Sequence, residues 1–178
     1  MSALEIQSSL MKLIGFSEED LIVNHEGYIH GQQRLELSQK RRQWTIRIVL
    51  TLGAGIICCF AIAVTDIYGN SFTAKIAPLT TVSVVTSVIA IGIWFRRSQL
   101  DSDLKKGYVL SAEGKPSLAS FNRAFSYTVN IQGEWFAVSK KVFSAFKEIE
   151  LSALHCRIYF VPRSRTILSV EVLRTSGH

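Results

Sequence analysis

The sequence predicts an α+β membrane protein, in which a two-helix transmembrane hairpin follows an N-terminal helical segment and precedes a small cytoplasmic β-barrel-like domain of the OB or SH3 type. Three observations predict it: two long apolar runs, a short polar link between them, and an alternating pattern after the second run. The 178 residues suffice for one ordinary domain or two small ones. We expect an N-terminal cytoplasmic segment at 1–43, the hairpin at 44–97 and a β-rich domain with one short helix at 98–178.

The first apolar run covers residues 48–65 and holds no charge, with Trp44 and Tyr68 at interfacial positions. The second run covers 76–95 and ends at Arg96. Each is close to the length that crosses a hydrocarbon core of about 30 Å at about 1.5 Å per residue. We expect spans at about 46–66 and 76–95. The alternative, two buried helices of a soluble protein, would normally show a polar stripe.

The flanking charges predict the orientation of the hairpin. The link of about ten residues between the spans is short enough to make the helices antiparallel neighbours, and it carries only Asp66 and Lys75. Cationic residues flank the other ends of both spans: Lys40, Arg41, Arg42, Arg47, Arg96, Arg97, Lys105 and Lys106. By the positive-inside rule we expect an integral two-pass membrane protein with both termini cytoplasmic. We expect its location to be a bacterial inner membrane.

The N-terminal segment has its own helical signals. Residues 3–14 place apolar side chains at helical spacing, and Ser17 precedes an acidic first turn like a capping-box residue. A polar helix from Gln32 is expected to continue into the first span. His25 and His30 lie five apart and so do not share a helix face; surface or capping roles are favoured over metal binding.

The C-terminal region alternates with a period of two. In 125–131 every second residue is apolar, Gln132-Gly133 supplies a turn, and 134–138 returns as a partner strand. Ser139 is placed to cap a short helix. The remaining predicted strands cover 107–111, 154–160 and 166–173. This order is typical of an OB-type barrel, although a half-open sheet covered by one helix has the same order.

Small and hydroxyl side chains in the spans form a candidate helix-packing or pore face. The residues are Gly53, Gly55, Thr80, Ser83, Thr86 and Ser87. Small residues let two membrane helices approach closely. The four hydroxyls fall within an arc of about 120°. They could line a water-filled path in an oligomer, but hydrogen bonds to their own helix or across the hairpin are the favoured interpretation.

Basic residues outside the spans form a candidate contact with anionic lipids. These residues are Arg96, Arg97, Lys105, Lys106, Lys140, Lys141, Arg163 and Arg165. The net charge of +6 suits anionic headgroups. It would also suit nucleic acid, for which Trp135 and Tyr159 beside Arg157 could form a binding surface, but no stacking motif accompanies them. We therefore expect lipids and other membrane subunits, or further copies of this chain, as partners, and nucleic acid is not favoured.

No sequence motif indicates catalysis. The chain lacks the G-x-S-x-G, P-loop, H-E-x-x-H and G-x-G-x-x-G patterns, so we predict no catalytic residues, no metal ligands and no cofactor. The architecture, a membrane hairpin followed by a small cytoplasmic β domain, resembles bacterial membrane accessory proteins such as the NfeD-like proteins with an OB domain. We expect a non-catalytic accessory subunit or homo-oligomeric scaffold; the alternative is a small oligomeric channel lined by the second span.

Overall fold

The computed structural model describes residues 3–64, 72–121 and 126–173. It contains helices and two small antiparallel sheets, the α+β composition that the sequence predicts. The chain divides into two compact units: Met1–Glu36 with Asp103–His178, and Leu37–Ser102. The N-terminal residues 1–36 therefore belong to the same unit as the strands.

Five helices are described: α1 Ala3–Ile14, α2 Glu18–His25, α3 Gly31–Val64, α4 Phe72–Lys106 and α5 Lys140–Glu148. Ser17 caps α2 through a capping box with Asp20, and Ser139 caps α5 by accepting a hydrogen bond from the Val142 amide. These caps satisfy backbone N–H groups that the first helical turn leaves without partners. A 3₁₀ helix, Leu151–Ala153, follows α5.

Helices α3 and α4 are long and apolar enough to cross a membrane. Their most apolar windows of 18 residues have mean hydropathies of 2.3 and 2.0, and none of either window is buried. A buried core helix of a soluble protein would instead have its apolar surface covered. At about 1.5 Å per residue each helix is about 50 Å long, more than a hydrocarbon core of about 30 Å requires.

The six strands form two three-stranded antiparallel sheets. The strands are β1 Leu110–Gly114, β2 Ser117–Phe121, β3 Ser126–Ile131, β4 Glu134–Val138, β5 Cys156–Phe160 and β6 Ile167–Val172. Their orders are β1-β5-β6 and β2-β3-β4. The barrel predicted from the order of elements is wrong, because the two sheets do not close on each other. Strand β2 was not predicted, and β1 begins three residues later than expected.

Side-chain amides occupy the outer edge of β6. The Gln7 amide donates to the Val170 carbonyl at 2.9 Å and accepts from the Val172 amide at 2.9 Å, as a neighbouring strand would. At the other end of the same edge, Gln33 donates to the Leu168 carbonyl at 3.4 Å. An exposed strand edge is a template for unwanted pairing. Glutamine side chains from α1 and α3 thus cover the edge at which a further strand could have closed a barrel.

Replacing Gln7 with alanine is expected to lower the stability of the full chain by about 1–2 kcal/mol, because two hydrogen bonds to the strand edge are lost. Amide hydrogen exchange at Val172 should accelerate in the same variant. The matched control is Gln32→Ala, since Gln32 is exposed in the first turn of α3. Equal exchange at Val172 in both variants would contradict the assigned role of Gln7.

The apolar core of the unit that contains the strands lies between the two sheets and the helices α1 and α5. Phe136 and Phe160 contact at 4.8 Å between ring centroids. Leu10 from α1 and Phe146 from α5 are fully buried in the same cluster. Burial of such large side chains contributes about 1.5–3 kcal/mol each, so both helices are integral to the stability of the unit.

Cys156 is fully buried in this core, and burial raises the pKa of its thiol from 9.0 to about 12. The unfolded chain therefore loses this proton at a lower pH than the folded chain does. The stability that the protonated thiol contributes is complete below pH 9 and is lost as the pH rises towards 12. We expect the free energy of unfolding to fall less steeply above pH 9 in Cys156→Ala; identical slopes in the two proteins would contradict the expectation.

Candidate functional site

Helices α3 and α4 contact at Gly55. A Cβ atom added to Gly55 would lie 2.5 Å from Thr86 Cγ2 and 2.7 Å from Thr86 Oγ1. One helical turn further along α3, Cys59 Sγ lies 3.7 Å from Ser83 Oγ. Glycine at position 55 therefore makes room for a β-branched side chain of the opposite helix, as small residues do between membrane helices.

The structure brings together part of the predicted small-residue face. Gly55, Ser83 and Thr86 lie at the contact between α3 and α4. Thr80 instead donates to carbonyls of its own helix, Ile76 and Ala77, both at 2.9 Å. Ser87 is exposed on α4. Gly53 has open space where its side chain would be, so the two glycines of α3 differ in their surroundings.

Two arginines lie close to the ring of Trp44, and we name the group the Trp44 collar: Trp44, Arg47 and Arg96. The guanidinium carbon of Arg47, one turn along α3, lies 4.8 Å from the Trp44 ring centroid. That of Arg96, on α4, lies 6.0 Å from it. Both distances are within the range of cation–π attraction. The indole thus holds one arginine from each helix.

The other predicted basic residues belong to the β-containing unit, where they separate into two groups. The Arg163 and Ser164 amides donate to the carboxylate of Asp103 at 3.0 and 2.7 Å, so the tip 162–165 lies beside the end of α4, where Lys105 and Lys106 follow. Lys140 and Lys141 begin α5, after the end of β4.

The contacts of Arg165 place it apart from Lys140 and Lys141. It pairs with Glu134 at the start of β4, and its guanidinium lies 5.6 Å from the Phe160 ring centroid. A five-residue strand at about 3.3 Å per residue places the two ends of β4 about 13 Å apart. Arg165 and the pair Lys140 and Lys141 therefore lie near opposite ends of β4.

The face of the sheet β1-β5-β6 that bears Arg157 and Tyr159 carries a polar network that the sequence does not predict. Arg157 pairs with Glu113 on β1 at 2.7 Å and with Glu171 on β6 at 3.6 Å. The Tyr159 hydroxyl donates to Glu171 at 3.0 Å and lies 2.8 Å from His25 Nδ1. The network links α2 to all three strands of this sheet.

The electrostatics of the network follow from its contacts. The hydrogen bond from Arg157 lowers the pKa of Glu113, which keeps this carboxylate ionised. Burial raises the pKa of Tyr159, which keeps the phenol protonated as a donor. Opposite charges on adjacent strands stabilise their pairing. Glu113, Arg157 and Glu171 are far apart in sequence. Only the strand register shows that they lie opposite one another.

The two histidines considered for metal binding have different partners. His30 Nδ1 lies 2.6 Å from Asp20 Oδ1, and the other Asp20 oxygen accepts hydrogen bonds from Ser17. His25 contacts Tyr159 instead. Across 3–64, 72–121 and 126–173, no group of three or more His, Cys, Asp or Glu side chains is arranged to hold a metal ion.

Comparison with protein-family models, curated proteins and solved structures gives no match. Three features of this chain bear on its function: the Gly55–Thr86 contact, the Trp44 collar and the open surface of the two apolar helices.

Proposed function

We propose that the protein is a non-catalytic integral membrane protein that acts as an accessory subunit or homo-oligomeric scaffold. The observation that carries the proposal is the apolar surface of α3 and α4. The most apolar 18-residue window of each helix is not buried. Within lipid this surface is available to acyl chains and to further membrane helices. The unit containing the strands then supplies a folded interaction domain.

The hairpin is proposed to cross a bacterial inner membrane twice, with both termini in the cytoplasm. The orientation is supported by the distribution of charge: residues 40–47 and 96–106 carry eight cationic side chains, the link carries one, Lys75, and the apolar runs 48–65 and 76–95 carry none. Cations at both ends of the hairpin resist translocation, so both ends remain on the side of synthesis.

The alternative function is a small oligomeric channel lined by α4. It requires the hydroxyl face of α4 to point into a pore. Ser83 and Thr86 instead contact α3 at Cys59 and Gly55, which favours the scaffold over the channel. Reproducible conductance of the reconstituted protein, abolished by a bulky residue at Ser87, would reverse this order.

The mass of the complex extracted gently from its native membrane tests the proposal, provided that every co-purifying chain is identified. A hetero-complex of fixed composition supports the accessory-subunit form, and a closed assembly of this chain alone supports the scaffold form. A monodisperse monomer without partners, extracted in several mild detergents, would contradict both.

A further inference from the structure

We infer that the Trp44 collar is a binding site for the phosphate of an anionic phospholipid. The inference deepens the proposed function, because it requires the hairpin to lie in a bilayer and names one lipid class as its partner. It extends the expected contact of Arg96 with lipid to a defined site that contains Trp44 and Arg47 as well.

The geometry presents two guanidinium groups from different helices at one place. Both Arg47 and Arg96 lie within 6.0 Å of the Trp44 ring centroid, and both side chains are exposed. A guanidinium that lies against an aromatic face keeps its N–H donors available at its own edge. Both groups therefore keep donors that the phosphate of a lipid beside Trp44 can accept from.

The local balance of charge leaves these arginines in need of an anion. The segments 40–47 and 96–101 contain six cationic side chains and one carboxylate, Asp101. Asp101 pairs with Arg41 at 2.9 Å. Arg97, the next residue after Arg96 on α4, adds an independent observation: its Nε is shielded from solvent and has no acceptor among the described residues. A shielded donor on a charged group is costly to leave unpaired.

The position of the collar selects a lipid rather than a soluble anion. Trp44 lies four residues before the charge-free run that begins at position 48, and Arg96 follows immediately after the run that ends at position 95. Tryptophan at such positions lies at the headgroup level of a bilayer. Anionic headgroups attract each basic side chain near the surface strongly enough to change occupancy about fivefold.

Quenching of Trp44 by brominated lipids tests the inference. The full chain with Trp94→Phe and Trp135→Phe, which leaves Trp44 as its one tryptophan, is reconstituted in phosphatidylcholine bilayers with phosphatidylglycerol. Either lipid is brominated in turn. We expect phosphatidylglycerol to be preferred beside Trp44 by about fivefold or more. In Arg47→Gln/Arg96→Gln the preference should fall to less than about twofold, because both donors are removed.

Arg42→Gln is the matched control, since it removes one charge from the same basic flank without altering the collar, and it should keep the preference of the unsubstituted protein. Should the double variant fail to insert, Arg47→Gln and Arg96→Gln are measured singly, and each is expected to lower the preference. Equal quenching by the two lipids, or an equal loss in Arg42→Gln, would overturn the inference.

Two further outcomes separate the lipid site from its alternatives. Millimolar inorganic phosphate should leave the preference for phosphatidylglycerol unchanged. If phosphate abolished this preference, the site would bind a soluble anion and the lipid assignment would be overturned. Absence of quenching by both brominated lipids would contradict the membrane placement itself. An inserted chain without lipid preference would contradict only the site.

Discussion

Replacing Gly55 with leucine is expected to destabilise the α3–α4 hairpin by about 1–3 kcal/mol or more, because the new side chain overlaps Thr86. The Cβ atom alone would lie 2.5 Å from Thr86 Cγ2. Thr86 is branched at Cβ and cannot move aside as a long flexible side chain would. The thermal unfolding midpoint of the full chain in mild detergent measures the effect.

Gly53→Leu is the matched control, because Gly53 lies on the same helix and has nothing within 4 Å of its Cβ position. It should change the unfolding midpoint much less than Gly55→Leu does. Combining Gly55→Ala with Thr86→Ala should restore part of the stability that Gly55→Ala loses, since the two nearest Thr86 atoms are removed. Equal effects at positions 53 and 55, without recovery in the double variant, would refute the contact.

Removing the carboxylate of Asp103 is expected to have an effect of similar size. Asp103 is fully buried, and its two oxygens accept the Arg163 and Ser164 amides. Asp103→Ala leaves two backbone donors without their charged acceptor, at a cost of about 2–4 kcal/mol. The tip 162–165 should then open, and trypsin should cleave after Arg163 faster than in the unsubstituted protein.

Asp101→Ala provides the comparison for Asp103→Ala, because it removes a carboxylate two residues earlier on α4. Its pair with Arg41 is partly exposed, and exposed ion pairs contribute about 0–1 kcal/mol. We expect little change in the rate of cleavage after Arg163. Equal cleavage of the two variants would show that Asp103 does not anchor the tip.

Elements with local signals could be predicted from the sequence. Helix α1 occupies the predicted residues 3–14, α3 continues from the polar segment into the apolar run, and β3 and β4 follow the alternating pattern. In each case the hydrophobic period or a capping residue lies within the element itself. Strand β2, SLASF, has no β-branched residue, which explains why its pattern gave no strand signal.

Features that depend on contacts between distant residues could not be predicted. At the open edge of the sheet, the side chain of Gln7 reaches β6 across 163 positions of sequence, and no local pattern marks this amide as a strand partner. The small-residue face shows the same limit: Gly53 and Gly55 have equal propensities, and only the position of Thr86 distinguishes them. The Trp44 collar could likewise be predicted only if the register of α3 against α4 were known, because Arg96 comes from the other helix.

The sidedness of the hairpin ends shows whether α3 and α4 cross the membrane. Single cysteines introduced at positions 2, 70 and 177, in a chain carrying Cys58→Ser and Cys59→Ser, are labelled with a membrane-impermeant thiol reagent in sealed vesicles of known orientation; Cys156 is fully buried. We expect positions 2 and 177 to be labelled from the cytoplasmic side and position 70 only from the other side. Labelling of all three from one side would contradict a hairpin that crosses the membrane.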